Sequence, residues 1–540
     1  MANFNYINRN NNDFQIEVDD FYIDKTKLIA FTNKVINKRD RLICVSRPRR
    51  FGKSITAKML NAYYSKGCDS KELFSKFKIA NTPDYEKHLN KYDVIYLDIQ
   101  NMYGVYCDKL YQDISFVKFI KDSVIKDLVC VFKESNVVSI DNTSLAEQLA
   151  NINLALGNKF IFIIDEWDFV FREFKTAIEL QNDYLCLLRD LFKNSILEPC
   201  IALAYMTGIL PIKRYKTESA LNNFDEYTML NPGFLAEFAG ITEEEVATIC
   251  AENNLDSEKV KYWYDGYELE NHHIYNPRAI NKLVTTGGKF NNYWSDTGSF
   301  TDVVLPYITM NFDGLKEYIL ELLKGEELEL DDDTFQNDLI SFKRKEDVIV
   351  FLIHLGYIAY KQETRTVYIP NEEIRQELTK AIKETQWQDF FDYLKESQKA
   401  FKALENIDEE YVASFIEERH SKLTSCIYYN NENALSYVVR DAFIAAEYSD
   451  YYAPEREAQS GKGFADLVYI PRRTEADVSP VVIIELKYDK SADIALQQIL
   501  DKKYYEKYKT MGKSVLMVGI NYDKATKKHS CRIQKYEEDL

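Results

Sequence analysis

The stretch Arg41-Leu-Ile-Cys-Val-Ser-Arg-Pro-Arg-Arg-Phe-Gly-Lys-Ser54 admits few folds. Its apolar run suits a buried strand, a tight loop follows, and Gly52-Lys53-Ser54 opens a helix. A helix N-terminus offers unpaired N–H groups and the positive end of a dipole, which together stabilise an oligophosphate. In this reading Arg49, Arg50, Phe51 and Gly52 line the loop, Lys53 reaches the β- and γ-phosphates, and Ser54 holds Mg2+. Arg47 and Pro48 stand where the usual pattern begins with glycine, so the loop lacks a flexible first position.

A second element agrees with the first. Phe160-Ile-Phe-Ile-Ile-Asp-Glu-Trp-Asp168 reads as a strand buried on both faces of a parallel sheet and ending in carboxylates. At the C-terminal end of such a strand, Asp165 faces the ligand crevice and contacts the Mg2+ shell, while Glu166 orients or deprotonates water. A third run, Cys200 to Met206, ends in Thr207-Gly208, where Thr207 is placed to sense a γ-phosphate or position water. Tyr92 to Asp98 is a further strand, with Asp98 expected as a core-edge carboxylate. Residues from about 31 to 230 alternate strands and helices, as a doubly wound parallel sheet binding ATP or GTP requires.

At 540 residues the chain exceeds one core, and 46% hydrophobic with 14% aromatic residues mark an ordered globular protein. No apolar run reaches the roughly eighteen residues of a membrane span, and the N-terminus lacks a basic-then-apolar signal. Nine scattered cysteines without CxxC spacing point to reduced thiols, a cytoplasmic setting and no zinc site. A net charge of −18 argues against wrapping nucleic acid over the whole surface. A local basic groove is open to Arg472, Arg473, Lys487, Lys490, Lys502, Lys503, Lys507, Lys509 and Lys513.

Those residues surround a second chemical constellation. Gly461 to Ile470 and Val481 to Lys487 read as an antiparallel strand pair with a long connection. Glu485 and Lys487, two apart on a strand, project together while Leu486 turns into the core, and Asp466 on the paired strand completes the set. Two carboxylates can hold a divalent cation, and a lysine can neutralise charge on a scissile phosphate, which is phosphodiester-cleavage chemistry.

The spacing of Asp466 and Glu485-x-Lys487 resembles the PD-(D/E)XK nuclease superfamily. That resemblance implies a substrate- or water-orienting role for Gln498 on the following helix and a further metal carboxylate at Glu432. Ala465 stands where the superfamily often has proline before its first aspartate. Asp24-Lys-Thr26, Arg47-Pro-Arg-Arg-Phe-Gly-Lys53, Ile164-Asp-Glu-Trp-Asp168, Leu221-Asn-Asn223, Trp263-Tyr-Asp-Gly-Tyr267 and Tyr275-Asn-Pro277, with the terminal Glu-Leu-Lys, together resemble bacterial AAA-ATPase-like proteins carrying such a C-terminal domain. These are similar to signal-transduction ATPases. The resemblance implies ATP as nucleotide, Mg2+ as metal with Mn2+ able to replace it at the nuclease site, and nucleic acid, DNA first, as partner. Ring-forming homo-oligomers accompany the type, with Arg49, Arg50 and Arg214 the nearest candidates for an arginine finger.

The expected architecture is α/β: a P-loop doubly wound parallel sheet with helical and winged-helix extensions, then an α/β restriction-endonuclease-like domain. Boundaries fall at 1–230 for the ATPase core, 231–345 for a mainly helical extension, 346–375 for the winged-helix-like unit, 376–425 for a helical spacer and 426–540 for the nuclease-like domain. Asp24-Lys-Thr26 reads as a helix cap, with nucleotide contact the alternative, His272 and His273 as a polar surface loop, and Asp331 to Asp333 as a linker or helix cap. The function expected is ATP hydrolysis coupled to metal-dependent cleavage, in defence against foreign nucleic acid. The alternative is an ATP-driven switch whose nuclease-like domain only binds nucleic acid or protein.

Overall fold

A computed structural model describes residues 5–107, 114–135, 137–138, 144–174, 177–212, 214–215, 218–219, 221–294, 308, 312–330, 342, 344–384, 388–423, 432–443, 445–446, 452–460, 463–471, 480–509 and 514–536. The chain separates into two compact units, Met1–Ala381 and Ile382–Leu540.

In the first unit, β1 (Leu42–Ser46), β2 (Asp93–Asp98), β3 (Phe160–Asp165), β4 (Ile201–Gly208) and β5 (Asp225–Tyr227) form a sheet of order β2-β3-β4-β1-β5, every pair parallel. Successive side chains leave a strand on opposite faces, so these apolar runs feed two cores. Ile43, Val45, Ile161 and Ile163 pack with helix α1 (Lys53–Tyr64), while Leu42, Cys44, Phe162 and Ile164 pack on the other face. Helices on both faces make the sheet doubly wound, as expected. Its strand ends Asp98, Asp165 and Thr207 stand in register.

Beyond the sheet, two expectations change. The segment after 231 holds helices Glu243–Asn253, Ser257–Tyr264 and Pro277–Thr285, but also an antiparallel sheet of Ile241–Thr242, His272–Tyr275 and Tyr267–Leu269. His272 and His273 therefore lie in a strand rather than a polar loop. Leu269 pairs with His272, which leaves a two-residue turn whose first member, Glu270, has φ +54°. The Asp24 carboxylate accepts from the N–H and hydroxyl of Thr26, an Asx turn leading into helix Lys27–Val35, and the motif caps a different helix from the one expected: Asp24 Oδ2 and Thr26 Oγ1 accept from the N–H groups of Lys78 and Ile79, which open the short helix Lys78–Asn81.

Helix α2 (Lys345–Leu355) is buried from Asp347 to its end and closed by left-handed Gly356. The hairpin Ala359–Lys361 with Thr366–Tyr368 follows, as a winged-helix unit requires, and Leu328–Glu329 adds a strand from before the expected boundary. Asp331 to Asp333 lie outside the described residues.

Glu373, 1% exposed, accepts from the Tyr293 N–H at 2.6 Å. Burial pushes its carboxyl up to about 7, against backbone hydrogen bonds that act the other way. A carboxyl raised in the folded state contributes stability below its unfolded value and loses it as pH rises through the folded one. Wild type should therefore lose about 3 kcal/mol relative to Glu373→Gln between pH 4 and pH 8. Denaturant melts of both proteins across that range check the difference.

In the second unit, β6 (Tyr452–Ser460), β7 (Gly463–Pro471), β8 (Val481–Tyr488), β9 (Val515–Asp523) and β10 (Lys528–Lys535) lie in chain order. Only β8 and β9 run parallel. Helices Gln388–Glu405 and Glu409–Leu423 are not a spacer: Phe401, Leu404, Val412 and Ile416 are buried in one core with Val482, Ile484 and Leu486 of β8. Their apolar stripes need a covering surface, and this sheet face supplies it. On the other face, helix α3 (Ala492–Lys502) packs Ala495 and Ile499 into a cluster with Val481 and Ile483.

Candidate functional sites

At the loop, Arg50 and Gly52 both take positive φ, +68° and +83°, which turns the chain into the N-terminus of α1. Lys53 is only 6% exposed, and its ammonium donates to the Pro48 carbonyl at 2.9 Å. Burial lowers its pKa, while Glu166, Asp165 and Asp168 oppose that shift. Asp165 is pushed up to about 7 by burial, and its hydrogen bond with Ser54 acts in the opposite sense. A hydroxyl and a carboxylate thus meet at the helix N-terminus, a donor set that fits a magnesium ion, which keeps several waters and takes few protein ligands.

Glu166 has φ +51°, uncommon for a non-glycine residue, and its carboxylate is ion-paired with Arg172. Thr207, expected to meet a γ-phosphate, is fully buried and donates its hydroxyl to the Val45 carbonyl at 3.1 Å, inside the sheet. The strand end needs that proton for its own backbone. Arg49 lies 3.9 Å from Glu173, and the Arg214 side chain is outside the described residues.

Phe51 is not a surface residue of the loop. It is 1% exposed, meets Tyr267 edge-on at 5.2 Å, and its carbonyl accepts from the Gly240 N–H. Tyr267 in turn donates to the Gly356 carbonyl at 2.6 Å, so the loop is packed against the extension and the winged-helix unit together. Beside it, Phe21, Tyr22, Lys25, Phe51, Ile55 and Met59 line a small cavity of about 50 Å³ that opens to solvent. Its largely apolar wall lies next to the phosphate loop, with Gly52 among its lining residues.

The sequence reading missed Asp168 and Arg172. Asp168 is fully buried, and its Oδ2 accepts from the N–H groups of Ile209 and Leu210. The i,i+4 spacing of Asp168 and Arg172 was the available signal.

The second site lies on the α3 face of the C-terminal sheet. Leu467 pairs with Ile484, which places Asp466 across from Glu485 on that face. Asp466 Oδ2 accepts from the Leu486 N–H at 2.8 Å. Glu485 is 2% exposed; its Oε1 accepts from Lys487 Nζ at 2.9 Å and from Gln498 Nε2. All four expected residues are thus brought together. Tyr504, which the sequence reading missed, sits 3.5 Å from Gln498 Nε2 and feels the charges of Glu485, Asp466 and Lys487. Glu432 begins helix Glu432–Ala442, with its side chain outside the described residues, as are Arg472, Arg473, Lys513 and the side chain of Lys509. Among the described residues no three metal-ligating side chains converge; Asp466 and Glu485 are the carboxylates the structure places here for a cation.

Gly519, in register with Glu485, carries α3 directly. A Cβ there would lie 2.2 Å from the Ala492 carbonyl oxygen and 2.7 Å from the Leu496 nitrogen, both main chain. Gly519→Ala should push α3 off the sheet, cost about 3 kcal/mol or more, and draw Gln498 away from Glu485. Thermal unfolding of the C-terminal unit checks this.

The fold and the two residue sets define a P-loop α/β unit and a PD-(D/E)XK-type α/β unit in one chain. Comparison with known families agrees: residues 11–217 match the predicted AAA-ATPase (AAA-ATPase-like) family, and residues 430–531 match the PD-(D/E)XK nuclease superfamily, so the chain carries a domain of each. It is 24% identical over 293 residues to an uncharacterized protein in the vnfD 5'region of Azotobacter chroococcum mcd 1. The match covers 53% of this chain and 52% of that protein, about half of its length. Solved structures also match, two of them as follows. The ORC2 protein of Aeropyrum pernix, in ADPNP-ADP complexes, shares 11% identity at TM-score 0.32, over 67% of this chain and 96% of that one. Cdc6p of Pyrobaculum aerophilum shares 12% at TM-score 0.23, over 67% and 93%. Among the described residues no helix is long and apolar enough to cross a membrane.

Proposed function

We propose that this chain binds and hydrolyses ATP and that its nucleotide state controls metal-dependent cleavage of nucleic acid, DNA first, by its C-terminal domain. The observation that carries the nuclease half is Glu485 held between Lys487 and Gln498 with Asp466 across from it. Mg2+, or Mn2+ in its place, would supply charge neutralisation and an activated water at these two carboxylates. Lys487 offsets the charge that builds on the scissile phosphate, and the Gln498 amide fixes the orientation of Glu485.

In the ATPase half, Lys53 and the α1 N-terminus hold the nucleotide. A water oxygen bonds to the γ-phosphorus, the bridging bond to the β-phosphate breaks, and Glu166 takes the water proton, leaving ADP and inorganic phosphate. Cytoplasmic action in defence against foreign nucleic acid, and assembly into homo-oligomers, accompany this reading through the pairing of the two domain types.

The test is incubation of the full chain with a mixed DNA and RNA panel, with Mg2+, Mn2+ or EDTA, and with or without ATP. Cleavage that needs metal and changes with ATP supports the proposal. ATP hydrolysis with polynucleotide bound but never cut would make the C-terminal domain a binding module instead.

A further inference from the structure

Arg172 is the penultimate residue of the short helix Phe169–Glu173 and is 4% exposed. Its Nη2 meets the Glu166 carboxylate, its Nε lies 3.1 Å from Asp168 Oδ2, and its Nη1 lies 3.7 Å from Glu173 Oε1. Among the described residues, neither Nε nor Nη1 makes a hydrogen bond. A guanidinium carries five N–H donors in a fixed fork, so this buried cation is under-used in its present position.

Its three acidic neighbours are not equivalent. Asp168 cannot leave, because its Oδ2 also holds the N–H groups of Ile209 and Leu210. Glu173, with 46% of its side chain exposed, is shared with Arg49 of the loop. Glu166 remains as the exchangeable partner, and while it is paired its carboxylate is not available to take a proton. Arg172 is also close enough to Lys53 for the two positive charges to oppose one another. A γ-phosphate drawn in by Lys53 therefore arrives within the field of the guanidinium.

We propose that Arg172 is a phosphate-sensing arginine supplied by the same chain, which holds Glu166 at rest and exchanges it for the γ-phosphate of ATP. This rests on the ATP reading above. A γ-phosphate offers more negative charge and more acceptor oxygens than one carboxylate, so it wins the fork where it is present. ADP lacks it and leaves the pair with Glu166 intact. The exchange frees the proton acceptor only when there is a phosphate to cleave.

Arg172→Met alone would strand Asp168 in the core, so the test uses Asp168→Asn with Arg172→Met, which removes both charges and keeps an acceptor for Ile209 and Leu210. The full chain is titrated calorimetrically with magnesium ADP and with the β,γ-imido analogue of ATP. Wild type should prefer the analogue by about tenfold or more, the scale of a hydrogen bond to a charged group. The double variant should lose that preference while its ADP affinity stays within about twofold, and its ATP turnover should fall by about 10³-fold. Arg172→Lys, which keeps charge but not the fork, should fall between.

A double variant that keeps the full preference, or that weakens both ligands equally, overturns the proposal. Wild type that binds neither nucleotide brings down the ATP reading itself, an outcome separately visible before any variant is compared.

Discussion

Glu485→Gln is expected to abolish polynucleotide cleavage, lowering the rate by at least about 10²–10³-fold, the scale of removing one preorganised electrostatic group from a reacting centre. The substitution is chosen for what it leaves in place. The glutamine oxygen can still accept from Lys487, whose ammonium also donates to the Leu486 carbonyl at 2.9 Å, so the buried cation keeps two acceptors. Asp466 retains its bond from the Leu486 N–H. The strand register should therefore survive, and melting of the C-terminal unit should move by only a few degrees. What is lost is a negative charge between Lys487 and Gln498, and with it half of the pair of carboxylates able to hold a cation. Cleavage measured against Mg2+ concentration separates the two contributions. A weakened metal site recovers at high metal, whereas loss of the orientation fixed by Gln498 does not. ATP turnover should be unchanged, because the substitution lies outside the unit that holds Lys53.

Most of both sites was legible in the sequence because their chemistry is local. A buried strand ending in carboxylates needs only its own apolar run to be recognised, and Phe160 to Asp165 forms the strand expected, with Asp165 at its end. Glu485 and Lys487 meet because a strand alternates with period two, and Gln498 arrives because α3 follows that strand directly. The failures share a different cause. Whether residues 376–425 span a gap or cover a sheet depends on which surface receives their apolar stripe, and that surface is formed by β8 to β10, far away in sequence. Thr207 gives its proton to Val45, 162 residues distant, a bond set by the pairing of β1 with β4. Phe51 read as a loop residue because its partners, Tyr267 and Gly240, belong to a segment whose packing no local pattern announces. Gly208 is similar: a Cβ there would meet Asp168 Oδ1 at 2.5 Å, so its glycine is required by a carboxylate forty residues earlier.

The second large effect is expected at Lys53. Removing its ammonium in Lys53→Met takes away a lysine that feels the charges of Asp165, Glu166 and Asp168 at the N-terminus of α1. A polyphosphate would then approach three carboxylates with only helix N–H groups and neighbouring arginines to offset them, so ATP affinity should fall by about 10²-fold or more. The stability of the nucleotide-free variant is a separate matter. Burial already disfavours the charged form of Lys53, whose only hydrogen bond among the described residues is to the Pro48 carbonyl, while its loss leaves the acidic cluster more repulsive. These contributions oppose each other, so the apo melting temperature is a poor readout. The shift caused by ligand within each protein is a good one, because apo differences cancel. Wild type saturated at about one hundred times its dissociation constant should gain about 2.7 kcal/mol, and Lys53→Met at the same ATP concentration should gain under about 0.5 kcal/mol. Polynucleotide cleavage by the same variant then reports on coupling. Cutting that persists but no longer responds to ATP places the nucleotide upstream as a control, whereas cutting with its ATP response intact would mean that ATP acts on cleavage by a route other than the Lys53 site.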